Sequence, residues 1–186
     1  MPRPLRDDFP GAVQHVFARG NRKQPIFLDE ADFRLYLALL GGMVVAKKWR
    51  VLAYCLMPNH VHLLVETPEP TLARGMQCLH GMYARLFNDR HRFVGHLFQG
   101  RYGSKLVRDD AQLITVLRYI GANPIEAGLA NPAGESWPWN SFAAVVADEA
   151  PSWLDVDRLF EYVAEWTNDP LQRYHELIAG ALPSPA

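Results

Sequence analysis

The sequence predicts an α+β fold, on three observations. Apolar residues alternate or run together over short segments such as Arg50–Met57 (RVLAYCLM) and His60–Thr67 (HVHLLVET), the pattern of strands. They recur at three- and four-residue spacing over longer segments that follow Asp29, Thr71 and Asp109, the pattern of amphipathic helices. The segments succeed one another as strand, helix, strand, strand, helix, strand, and then a further helix.

Ala12–Arg19 (AVQHVFAR) alternates and stops at Gly20-Asn21, so it reads as a strand closed by a turn. Asp29 is an N-cap for a helix reaching about Trp49, with Phe33, Tyr36, Leu37, Leu40, Met43 and Val44 at helical spacing. Pro58-Asn59 between the next two strands makes them a hairpin. Thr71 caps a helix to about Asp89 that sets Leu72, Met76, Leu79, Met82, Tyr83 and Leu86 to one side. Residues 102–108 form a short strand after a glycine-rich loop. Asp109 or Asp110 caps the next helix, which should end at Asn123-Pro124 because the residue before proline disfavours the α region. The first six elements have the ferredoxin-like βαββαβ order, an antiparallel sheet with helices on one face and the other left for a partner or the extra helix. A Pro- and Trp-rich crossing (NPAGESWPWNSF) and two acidic helical stretches, near 155–166 and 170–179, complete the chain. The expected organisation is a working domain over 1–131 and an acidic, mostly helical extension over 132–186 packed on it.

The charge is divided in the same way. Residues 1–131 hold 17 Lys and Arg against 11 Asp and Glu, a balance of +6, and the remainder holds 2 against 9, a balance of −7. The net charge of −1 therefore does not exclude a polyanionic partner, because a basic body and an acidic end cancel in it. The acidic end is expected to pack away from a DNA face or to compete for it. The densest basic stretch, 71–108, sets Arg74, Arg85, Arg90, Arg92, Arg101, Lys105 and Arg108 against Asp89 alone. Clustered cations of this kind suit phosphates, since counterion release rewards them, although solvated surface charges look the same. No apolar run approaches the ~20 residues of a membrane helix, and no signal peptide is visible. Two lone cysteines, Cys55 and Cys78, fit a reducing cytosol. G-x-S-x-G, P-loop, Cys-x-x-Cys and H-E-x-x-H motifs are absent.

Three features could carry chemistry. On a strand, His60 and His62 point to one face and Val61, Leu63 and Val65 to the other, so two imidazoles stand side by side and could chelate one metal. Tyr119 and Asn123, four residues apart, share a helical face. A phenol is a competent covalent nucleophile, and an amide oxygen suits a hard cation. The loop GHLFQGRYGSKLV offers His96, Phe98, Gln99, Arg101 and Lys105 for stacking, hydrogen bonding and phosphate contacts, and Arg19, Asn21, Arg22 and Lys23 form a second basic turn. Trp137 and Trp139 suit apolar anchoring of the C-terminal part better than base stacking. Taken singly, each feature also fits a bland reading: unliganded strand histidines, a packing tyrosine, ordinary basic loops.

As a set, the segments ARGNRKQPIF, WRVLAYCLMPNHVHLLVETPEPTLARGMQ, YARLFNDRH, GHLFQGRYGSKLV, LRYIGANPIEAGL and WPWNSF resemble the REP-associated tyrosine transposases, a branch of the IS200-like, single-tyrosine HUH transposases. The matching region spans about 13–142. The resemblance implies a ferredoxin-like fold and metal-dependent cleavage and joining of single-stranded DNA, usually folded as a palindromic hairpin with a short guide sequence beside it. It implies that His60 and His62 hold the metal and that Tyr119 attacks the scissile phosphate, leaving a 5′-phosphotyrosine and a free 3′-hydroxyl. Asn123 falls on a further polar metal ligand, and Arg19, Asn21, Arg22, Arg74, Gln99, Arg101 and Lys105 are the expected DNA contacts. Gly121-Ala122 and Phe17-Ala18 depart from the family pattern without removing a catalytic group. Two imidazoles alone would favour zinc, copper or nickel, whereas the resemblance implies Mg²⁺ or Mn²⁺ completed by phosphate oxygens and water. The implied protein is cytoplasmic and at the nucleoid when bound to DNA, a monomer or homodimer, with no membrane partner. A non-catalytic hairpin-DNA-binding relative, or an unrelated metal-dependent phosphoesterase, would share many of these features.

Overall fold

The computed structural model describes residues 8–131, 137–164 and 169–180. The elements run β1 (Ala12–Arg19), α1 (Glu30–Lys47), β2 (Arg50–Met57), β3 (His60–Thr67), α2 (Leu72–His91), β4 (Gly103–Leu106), α3 (Asp110–Glu126), α4 (Ser141–Val146), α5 (Val156–Ala164) and α6 (Pro170–Ala179), with a 3-10 turn at Asn21–Lys23. The sheet order is β2-β3-β1-β4 with every neighbouring pair antiparallel. This is the ferredoxin-like arrangement, because each crossover through α1 or α2 skips one strand. Among the described residues, no helix is long and apolar enough to cross a membrane.

Register positions the site. β1 pairs with β3 from Ala12↔Thr67 to Arg19↔His60, so Phe17 stands opposite His62. Directly opposed residues share a face. His15, Phe17 and Arg19 therefore project to the same side as His60 and His62. On the other side, Val16, Ala18, Val61, Leu63 and Val65 join the α1 and α2 residues Phe33, Tyr36, Leu40, Leu79, Tyr83 and Phe87 in one core. Fully burying each large side chain of such a core contributes about 1.5–3 kcal/mol before ordering costs.

The histidine-bearing face is not open throughout. β2 and β3 are buried along nearly their whole length. α3 crosses this face, and the C-terminal helices cover its β2 side. Glu66, at the far end of β3 from His60, receives Arg158 of α5 at 3.0 Å and Arg50 at 3.2 Å, while Tyr162 donates to it at 3.4 Å. Trp139 stacks on Phe33 at 4.7 Å, and Trp137 donates its indole N–H to the Leu56 carbonyl at 3.0 Å. The β1–β4 half of the face keeps its residues partly exposed, and so does His60 at the start of β3.

Several expected boundaries move. Asp29 and Asp109 do cap, accepting from the amides of Asp32 at 3.2 Å and Gln112 at 2.7 Å. Thr71 makes no cap bond, because its hydroxyl accepts from the Trp49 indole at 2.9 Å instead. α1 stops at Lys47, where Lys48 turns left-handed, and α2 runs two residues past Asp89. α2 buries His80 and Phe87, and Met82, expected in the core, is exposed. α3 does not end at Asn123: it continues through Pro124 to Glu126. Proline costs the helix one amide donor. Here the packing of Pro124, the Leu129 amide bound to its carbonyl at 2.8 Å, and the Asn140 side chain donating to Gly121 O at 2.9 Å hold the turn together. α4, which begins in the last two residues of the expected crossing, is capped by Asn140, which accepts from the Phe142 amide at 2.9 Å. The expected ends at 132–136 and 165–168 lie outside the described residues.

Candidate active site

The tight turn at Pro58-Asn59 makes His60 the first residue of β3, and alternation sets His62 beside it. α3 crosses above them and presents Tyr119 and Asn123 one helical turn apart. The four side chains meet. His60 Nε2 lies 3.3 Å from Asn123 Oδ1, and His62 Nε2 lies 3.4 Å from the Tyr119 hydroxyl. The two imidazole centroids are 5.1 Å apart, as are those of His62 and Tyr119. His62 is only 7% exposed, but Tyr119 is 42% exposed, so the phenol can be approached from solvent.

The electrostatics keep the rings neutral. Burial is the main cause that lowers His62 to about 3, with help from the neighbouring His15, His60 and Arg19. Burial and then Arg19 lower His60, while its bond to Asn123 opposes the shift. Neutral imidazoles keep a nitrogen lone pair for a metal at ordinary pH. Two such nitrogens with the amide oxygen of Asn123 in front of a phenol make a donor set that fits a divalent cation needing further oxygens from water and substrate.

One residue of this cluster was missed in the sequence. His15 Nε2 sits 3.0 Å from His62 Nδ1, and its ring meets Tyr119 edge-on at 5.8 Å. It touches the side of His62 away from Nε2, so it supports that ring rather than joining the donor set. Burial and then Lys105 lower its own pKa to about 4. Alternation in AVQHVFAR puts His15, Phe17 and Arg19 on one face, and the register that sets Arg19 opposite His60 makes it the imidazole face.

The expected DNA contacts fall into two groups. Arg19 opposes His60, Lys105 opposes His15 on β4, and exposed Arg22 occupies the neighbouring 3-10 turn. Asn21, Arg74, Gln99 and Arg101 line one groove of about 880 Å³ between α2 and the loop over residues 95–102. That loop is tied to the end of β1 by Asn21 N–H to Leu97 O at 2.8 Å and Gln99 N–H to Arg19 O at 2.9 Å. Two expected contributors are otherwise engaged. Phe98 is buried and stacked on His80 at 4.3 Å, so it cannot stack on a base. Arg90 is paired with Asp29 and Asp32, each at 2.6 Å. The same guanidinium occupies the Asp29, Asp32 and His91 cluster, which is therefore an ion-pair network.

The chain is similar to known proteins in sequence and in fold. The family model described as "Transposase IS200 like" matches residues 11–123, ending on Asn123. A Haemophilus influenzae protein described as a REP-associated tyrosine transposase is 31% identical over 106 residues, covering 50% of this chain and 59% of that protein. The chain thus spans under two thirds of that relative's length. A solved structure of a REP-associated tyrosine transposase bound to a REP hairpin superposes with a TM-score of 0.65 at 17% identity, over 84% of this chain and 93% of the other. At that identity the likeness is one of fold.

Proposed function

The chain belongs to the IS200-like transposase family, and from that premise we propose that it cleaves and rejoins single-stranded DNA at hairpin repeats through a covalent bond to Tyr119. The observation that carries this reading is the Tyr119 hydroxyl, solvent-accessible and 3.4 Å from the ring of a neutral, buried histidine. In the proposed step the phenolic oxygen attacks the scissile phosphorus as the bond to the 3′-oxygen breaks. The products are a 5′-phosphotyrosine and a 3′-hydroxyl, with the phenol proton ending on the departing oxygen. One phosphodiester replaces another, so a 3′-hydroxyl can reverse the step and join a new strand.

His60, His62 and Asn123 would hold a Mg²⁺ or Mn²⁺ ion, which when bound supplies charge to the phosphate under attack. Arg19, Arg22 and Lys105 would place the strand across the β1–β4 half of the face, and Asn21, Arg74, Gln99 and Arg101 would grip the backbone in the adjacent groove. Such contacts set position more than sequence. The substrate class also rests on the hairpin-bound relative. With a labelled hairpin oligonucleotide and Mn²⁺, the wild-type chain should cleave and His60→Ala should not, while both bind the hairpin in EDTA. Salt-dependent binding with no cleavage of any hairpin would mean a binding module instead.

A further inference from the structure

We propose that Asn59 is a positioning residue that holds His60 in the tautomer whose Nε2 lone pair is free for a metal. The proposal rests on the reading of His60 as a ligand. Three atoms in series settle the tautomer. The Lys23 carbonyl can only accept, so the Asn59 group 2.9 Å from it must be the amide NH₂. That orients the other end: Asn59 Oδ1 lies 2.7 Å from His60 Nδ1. An amide oxygen cannot donate, so in the neutral ring the proton sits on Nδ1 and the lone pair on Nε2. Nε2, left with its lone pair, then faces the side-chain amide of Asn123, whose Oδ1 lies 3.3 Å away, so both can turn to a cation between them.

The arrangement is built into the fold. The Asn59 carbonyl accepts from Gly20 N–H at 2.8 Å, and the Pro58 carbonyl from Ile26 N–H at 2.8 Å, so the β2–β3 turn is locked to the basic turn. Lys23, whose carbonyl anchors the series, has a left-handed backbone at φ 61° and follows Arg22 at φ 53°. Turn chemistry alone explains an asparagine after Pro58. It does not explain a side chain spanning from the basic turn to an imidazole. His62 offers a contrast, since its Nδ1 faces His15 Nε2 and either ring could donate.

The test compares the full chain with Asn59→Ala and Asn59→Asp. Asp keeps an acceptor for Nδ1–H, and Ala removes it. In metal-free ¹⁵N-histidine spectra, wild type and Asn59→Asp should show His60 protonated at Nδ1, and Asn59→Ala should shift toward the Nε2–H form commoner in water. Titrated with Mn²⁺, Asn59→Ala should bind about 10–100-fold more weakly than wild type, with Asn59→Asp close to wild type. Should Asn59→Ala fail to fold, Asn59→Ser, whose hydroxyl is too short to reach the ring, replaces it. An unchanged His60 spectrum in the Ala or Ser variant overturns the proposal, as does a loss in Asn59→Asp equal to that in Ala. If the wild type takes up no Mn²⁺, the ligand reading falls and the spectrum alone decides the tautomer.

Discussion

Asn123 and Tyr119, one turn apart on α3, reach different imidazoles of β3: Asn123 Oδ1 lies 3.3 Å from His60 and the Tyr119 hydroxyl 3.4 Å from His62. A single helix thereby sets both the spacing of the proposed donor set and the place of the proposed nucleophile. That division of labour separates the consequences of mutation. Asn123→Ala should weaken Mn²⁺ binding by on the order of tenfold or more while leaving Tyr119 in place. Calorimetric titration with Mn²⁺ measures it, and an unchanged affinity would remove Asn123 from the donor set.

His80, on the α2 wall of the groove and outside the histidine–tyrosine cluster, reports on acid stability. It is buried against Phe98 with Nε2 3.1 Å from the Tyr36 hydroxyl, and burial lowers its pKa to about 4. The unfolded ring takes a proton at its ordinary 6.5 and the folded ring resists, so the unfolded state binds more protons between the two. Stability should therefore fall as pH drops from 6.5 toward 4, by roughly 3 kcal/mol from this group alone, and be insensitive to it above 7. Urea unfolding of wild type and His80→Gln across that range checks this, with a shallower slope expected in the variant.

Gly20 is needed for its lack of a side chain. A Cβ there would come 2.1 Å from the Gln24 carbonyl oxygen, a backbone atom that cannot move without opening the Asn21–Lys23 turn. Gly20→Ala should cost about 1–3 kcal/mol of stability and weaken hairpin binding by displacing Arg22. Chemical unfolding and a filter-binding titration read the two effects separately.

Arg74 and Arg101 line the groove beside α2. Replacing either by alanine should weaken hairpin binding at low salt and reduce the slope of log affinity against log salt by about one, without changing sequence preference. An unaltered slope would place the DNA elsewhere.

Much of this was legible in the sequence because it depends on local rules. Alternation in HVHLLVET put both imidazoles on one face, and a four-residue step put Tyr119 over Asn123. What escaped depends on tertiary facts. His15 becomes part of the cluster only once β1 is registered on β3. Pro124 was read as a stop because a local rule says so, yet Asn140, sixteen residues on, supports the helix through it. Phe98 looked like a stacking platform until His80, eighteen residues earlier, was found against it. The acidic extension was expected to pack on the domain, but its anchor, Arg158 of α5 paired with Glu66 on the sheet, is visible only in the fold.

Tyr119 is proposed to carry the DNA during the reaction, and the most direct measurement is to trap and map the adduct. A 5′-labelled or 3′-labelled hairpin oligonucleotide is incubated with the full chain and Mn²⁺, denatured, digested and analysed by mass spectrometry. A nucleotide linked through a 5′-phosphate to the α3 peptide at Tyr119, and its loss in Tyr119→Phe with hairpin binding retained, is the predicted result. An adduct on any other residue, or cleavage that persists in Tyr119→Phe, would contradict the account.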